Sequence, residues 1–126
     1  MKAPGAHGVR LYGDVAEIDF FGAMSVQEVE GMLLRAEALP GRRQGTPLLI
    51  MALAPQWDPA ATDLREAVAV IRRYADAFGG RIAVVVGAPL YYGLTRMAGA
   101  FAEGEAFALR PFQDVADAVD WLHAAS

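Results

Sequence analysis

A buried strand that turns through Gly-Ala-Pro into a helix constrains this chain more than any other stretch. It runs Arg81-Ile-Ala-Val-Val-Val-Gly-Ala-Pro-Leu-Tyr-Tyr-Gly-Leu-Thr-Arg-Met97. Ile82–Val86 is β-branched almost throughout and has no polar alternation, the pattern of a strand covered on both faces and typically parallel. Leu90, Leu94, Met97 and Phe101 recur behind it at helical spacing, so they predict the inward stripe of a helix. A parallel strand needs a crossover to a neighbour, and that places the chain among the α/β folds.

The remaining segments fit the same plan. Gly13-Asp14 sits between Val9–Tyr12 and Val15–Phe20 and predicts a tight hairpin. In its second strand Ala16, Ile18 and Phe20 face one way, Glu17 and Asp19 the other, wet way. Ser25-Val-Gln-Glu28 matches a capping box, with Ser25 serving an orphan N–H and Glu28 reaching back. The helix it opens carries Val26, Val29, Met32, Leu33, Ala36 and Leu39 and stops at Pro40-Gly41. Leu48–Leu53 reads as a buried strand. Asp58-Pro59 reads as N-cap and first residue of a helix with the stripe Leu64, Val68, Ile71, Ala75 and Phe78. Glu105–Arg110 is a weaker edge strand closed by Pro111. Asp114 caps a last helix with Val115, Ala118, Val119 and Leu122 inward. The order is β-β-α-β-α-β-α-β-α, a mixed five-stranded sheet with about four helices in one domain over residues 1–126.

Composition excludes several classes of function. The chain has 126 residues, 55% of them hydrophobic, enough to build a core without disulfides or a metal. Net charge is −4 and the basic residues, ten of eleven of them Arg, are scattered, so no stripe exists to track nucleic acid. There is no cysteine, hence no thiol chemistry and no cysteine-ligated zinc. No run is long enough to span a bilayer and no signal segment opens the chain, which predicts a cytoplasmic protein without an integral membrane segment. His7 and His123 lie near the termini and read as solvent-facing, so neither a metal nor a cofactor is expected. Nucleophile elbows and phosphate loops are absent. Asp58, Asp63 and Glu66 cluster at the start of the second helix, where capping and the helix dipole account for them.

Candidate binding residues gather elsewhere. In open α/β sheets, ligands bind outside the carboxyl ends of the strands. The loop Ala54-Pro-Gln-Trp-Asp-Pro59 and the turn into Leu90-Tyr91-Tyr92 bring Trp57, Tyr91 and Tyr92 to that edge, with Asp58, Thr62 and Arg96 beside them. Aromatics with an arginine are usual anchors of a binding surface, although Trp57 and Tyr91 could equally fold back as lids on the core. Asp58 with Arg96 is the one polar pair in which unusual catalysis would have to reside.

The piece Tyr-Gly-Leu-Thr-Arg-Met97, with the tail Phe112-Gln-Asp-Val-Ala-Asp-Ala-Val-Asp-Trp-Leu122, resembles the SpoIIAA-like proteins of the STAS (STAS/SEC14) group over nearly the whole chain. The resemblance implies a non-enzymatic interaction or regulatory module with a protein partner. In the phosphorylated antagonists of that group, a Ser or Thr at the start of the helix after the third strand carries a phosphate that blocks docking. Here Thr62 is the only hydroxyl in the corresponding Trp57–Leu64, which lacks an Asp-Ser-Ser-Gly type of sequence. The SEC14 side of the resemblance implies instead a pocket for a lipid or other apolar small molecule, with Trp57, Leu90, Tyr91, Met97 and Phe101 as walls. The edge Val9–Tyr12 invites pairing, so a homodimer and a protected monomer both fit the sequence.

Overall fold

A computed structural model describes residues 7–104 and 107–124. Strands β1 (Gly8–Tyr12) and β2 (Val15–Ala23) form the expected hairpin around Gly13-Asp14. Helix α1 (Val26–Glu37), strand β3 (Leu48–Gln56), helix α2 (Ala61–Ala75), strand β4 (Arg81–Val86), helix α3 (Pro89–Phe101), strand β5 (Ala108–Phe112) and helix α4 (Val115–His123) follow. The sheet order is β1-β2-β3-β4-β5, antiparallel at the hairpin and parallel from β2 onward. A sheet laid down in chain order by crossovers of one hand places every connecting helix on the same face. Accordingly α1, α2 and α3 share one face, over Ile18, Phe20, Ile50, Ile82 and Val84. Helix α4 follows the last strand, so it connects to nothing further. It folds back on the other face, with Ala118 and Leu122 on Leu49, Ala83 and Val85.

Helix α4 packs chiefly on β4, with β5 and β3, and reaches the hairpin only at Asp14 and Val15, so the rest of that face is uncovered by any helix at the hairpin end. Tyr12, Phe21 and Leu53 are each about half exposed there. Glu17 points to this face as its alternation predicts, yet it is 5% exposed rather than wet. The Arg10 side chain lies across it, Nε donating to Glu17 Oε2 at 3.0 Å.

Several local expectations are corrected. Ser25 does cap α1, accepting from the Glu28 N–H at 3.2 Å, but the Glu28 carboxylate is hydrogen-bonded to His7. Helix α2 begins at Ala61 with Ala60 as N-cap, so Asp58 is not a cap; Asp63 reaches back to accept from the Ala60 N–H at 2.8 Å. Pro111 lies inside β5, paired with Val84, and not beyond its end. Proline is tolerated there because β5 is an edge strand. Val115 of α4 faces outward. The expected start of β5 at Glu105 falls outside the described residues.

Helix α3 is rotated from its predicted stripe. Leu90 and Met97 are exposed at 64% and 44%, while Ala98 and Ala102 are buried. The small residues win the inward face because α3 lies close on β5. A Cβ at Gly99 would come 2.7 Å from the Leu109 carbonyl oxygen.

Candidate functional site: an apolar cavity at the carboxyl end of the parallel strands

Strand β3 runs three residues past its predicted end at Leu53. Ala54, Pro55 and Gln56 pair with Phe21, Gly22 and Ala23 of β2, so half of the expected loop is strand. Proline fits within it because β4 pairs no further than Ala52↔Val86, leaving that side of β3 open. Between Asp19↔Met51 and Phe21↔Ala54 the register slips, and β3 spends two residues, Ala52 and Leu53, opposite Phe20 alone. Such a bulge reverses which alternate residues face the helices. Upstream of it Leu48, Ile50 and Ala52 face α1–α3; downstream of it Pro55 does.

The re-aimed strand end forms one wall of a cavity of about 100 Å³ between the sheet and the three helices. Phe20, Val68, Val84 and Ala98 are among its walls, Trp57 of the β3–α2 loop and Tyr91 of α3 also line it, and the lining atoms are almost wholly apolar. Tyr91 Oη lies 3.1 Å from the Pro55 carbonyl oxygen and 3.1 Å from that of Trp57. Residues two apart along an extended chain present their carbonyls on the same side, here the side that β4 has vacated. The Tyr91 hydroxyl donates into that pair. Thr95, one turn on, donates its Oγ1–H to the Tyr91 carbonyl at 2.8 Å.

Of the six residues predicted as a binding edge, the structure brings Trp57 and Tyr91 together on this cavity. Asp58 and Thr62 are exposed on the adjacent loop and the first turn of α2. Tyr92 is half-buried against the main core. Arg96 is exposed and opens on a separate shallow hollow with Phe107 and Pro111, between α3 and β5. Among the described residues no ion pair joins Asp58 to Arg96, and no three His, Asp or Glu converge as a metal site. Of the predicted apolar walls, Leu90 and Met97 point to solvent. Sequence reasoning assigned Val68 and Ile71 to plain core and passed over Pro55 and Ala98, which also line the cavity. The spacing Tyr91, Leu94, Thr95, Ala98 would have marked that wall.

Electrostatic features lie away from the cavity. His7 is pinned rather than frayed: Nδ1 accepts from the Phe21 N–H at 3.1 Å, Nε2 bonds Glu28 and the Ala23 carbonyl, and the ring sits edge-on to Phe20. His123 Nε2 meets Asp14 Oδ1 at 2.9 Å and holds the Asp14 carboxyl below the usual range. The two histidines thus mark opposite ends of β2, nine residues apart in strand, on the order of 30 Å. Asp19 is raised above the ordinary carboxylate range by burial, then by its hydrogen bond with Glu17 and the charge of Glu17, with Arg10 opposing.

No protein-family model matches the chain, and no curated protein matches it. Among the described residues no helix is long and apolar enough to cross a membrane. Among solved structures it is similar to an uncharacterised protein of the DUF3478 family with a SpoIIAA-like fold from Shewanella loihica PV-4. That likeness has a TM-score of 0.61 at 22% identity, over 94% of this chain and 93% of the other. A hairpin followed by parallel strands in chain order, with four helices split three and one, therefore gives this chain the SpoIIAA-like fold.

Proposed function

We propose that the chain is a non-catalytic binding module whose ligand is an apolar small molecule held beneath Trp57 and Tyr91. The observation that carries this reading is the cavity itself, a void at the carboxyl end of the parallel strands with almost no polar lining. Empty apolar space forfeits dispersion contacts that a close-packed interior would make, and a suitable guest restores them. An apolar cavity of ~150 Å³ in an engineered protein stays dry and takes benzene, so a somewhat smaller one suits a compact guest. Among the described residues no Ser, His or carboxylate lines the void, and the Thr95 and Tyr91 hydroxyls are spent on backbone carbonyls, which is why binding rather than turnover is proposed.

The test is native mass spectrometry of gently purified protein beside a Val68→Phe variant, whose larger side chain fills the void. A bound apolar mass in the parent and none in the variant is expected. A bare parent mass, with no apolar probe shifting its melting temperature, would falsify the reading.

A second reading, a protein-interaction module, draws on the uncovered sheet face, where Tyr12, Phe21 and Leu53 lie half exposed. Of these, Phe21 and Leu53 adjoin on neighbouring strands, and exposed apolar side chains grouped in that way commonly mark an interaction surface. A photo-crosslinking residue at position 21 should trap one recurrent protein in cells; diffuse labelling would remove this reading.

A further inference from the structure

We infer that the cavity admits only a neutral, ring-sized apolar group and that the Tyr91 hydroxyl is the latch on its lid. This rests on the apolar-ligand reading above and specifies the chemistry and control of that same site. The lid is the stretch Trp57–Ala60, which has no regular structure between the end of β3 and the start of α2. Trp57 and Pro59 from it line the cavity. At its far end the lid is tied by the Ala60 N–H to Asp63 Oδ2, 2.8 Å away. At its near end a single hydroxyl hydrogen of Tyr91 serves the carbonyls of Pro55 and Trp57, both 3.1 Å distant. Tyr91 belongs to α3 and the lid to the β3–α2 connection, so this bond joins two elements whose separation would widen the way in for a guest.

The same hydrogen bonds fix the chemistry of the guest. The two hydroxyls on this wall, Tyr91 and Thr95, both spend their protons on backbone carbonyls. Among the described residues no charged side chain lines the void, and its walls are almost wholly apolar. An ion placed there would lose its hydration without a partner. A fatty acid or phospholipid therefore cannot seat its head group inside. At about 100 Å³ the space matches a small ring or a branched alkyl end.

The test is a ¹³C-methyl NMR titration of the intact chain with benzene and, separately, with benzoate, in the parent, Tyr91→Phe and Tyr92→Phe. Benzene should shift the methyl signals of Val68 and Val84, and benzoate should bind at least ten-fold more weakly. Tyr91→Phe keeps the ring and loses the latch, so benzene exchange should quicken about five-fold, the factor matching one net hydrogen bond. Tyr92→Phe, outside the cavity, should leave exchange at the parental rate. Absence of any benzene response in all three proteins overturns the apolar-ligand reading itself. Benzene and benzoate binding equally overturns the neutral class, and unchanged exchange in Tyr91→Phe overturns the latch.

Discussion

The His7 ring stands edge-on to Phe20, centroids 5.0 Å apart, while its Nδ1 receives the N–H of the neighbouring Phe21. With Nε2 on Glu28, one side chain thereby ties the residue preceding β1 to β2 and to the first turn of α1. His7→Ala should lower stability by about 1 kcal/mol, since it removes the hydrogen bonds of His7 and its packing on Phe20. Urea unfolding would show this as a lower midpoint at unchanged slope. A midpoint equal to the parent's would mean the histidine is not an anchor.

The bare sheet face predicts a pH dependence of defined sign. Asp19 is raised in the folded state, so the fold holds more protons than the unfolded chain between the two pKa values. Stability from this group therefore falls as pH rises from the unfolded value through the folded one. Asp19→Asn should gain about 0.5 kcal/mol at neutral pH, a small figure because the group is largely solvated, and nothing in acid. Asp14 works in the opposite sense: its lowered pKa adds stability above the unfolded value, which is lost as pH falls through the folded one. Denaturant midpoints of Asp19→Asn and Asp14→Asn from acid to neutral pH should diverge in opposite directions.

Two glycines of α3 should respond oppositely to alanine. Gly93 has open space where a Cβ would go, so Gly93→Ala should gain about 1 kcal/mol of helix propensity. Gly99 would place its Cβ 2.7 Å from the Leu109 carbonyl, a backbone clash costing ~1–3 kcal/mol that exceeds the propensity gain. Thermal melts of the pair decide the matter. Stabilisation by both would mean that α3 does not lie so close to β5.

The rotation of α3 gives another contrast. Leu90→Gln with Met97→Gln should change stability by less than about 0.5 kcal/mol, as exposed substitutions do. Ala98→Gln should cost more than about 2 kcal/mol by forcing a polar side chain against the sheet. A large loss from the first pair would restore the stripe that the spacing suggests.

That stripe shows why part of this molecule is legible in sequence and part is not. In α2 the apolar positions Leu64, Val68 and Ile71 alternate with Arg65, Glu66, Arg72 and Arg73, so only one face can turn inward, and it does. In α3 the polar residues are Thr95 and Arg96 with the tyrosine hydroxyls, so apolar spacing fits several faces. The choice falls to the small residues Ala98, Gly99 and Ala102, which let the backbone approach β5. The strand order was readable from the unbroken β-branching of Ile82–Val86 and the Gly13-Asp14 turn. The end of β3 was not, because Pro55 looks like a strand breaker until the early end of β4 is known. The cavity is a property of three-way spacing among sheet, α2 and α3, which no single periodicity encodes. Trp57 and Tyr91 were found by their position at strand ends; Asp58, Thr62, Tyr92 and Arg96 share the neighbourhood but not the void.

The slip between β2 and β3 turns chain length into chemistry. Unbroken alternation along the same nine residues of β3 would turn Pro55 toward the face occupied by α4; the residue spent at Ala52-Leu53 turns it to the helices instead. Where that one unpaired residue falls therefore decides which side of the sheet receives the end of β3, and with it whether the void has this wall.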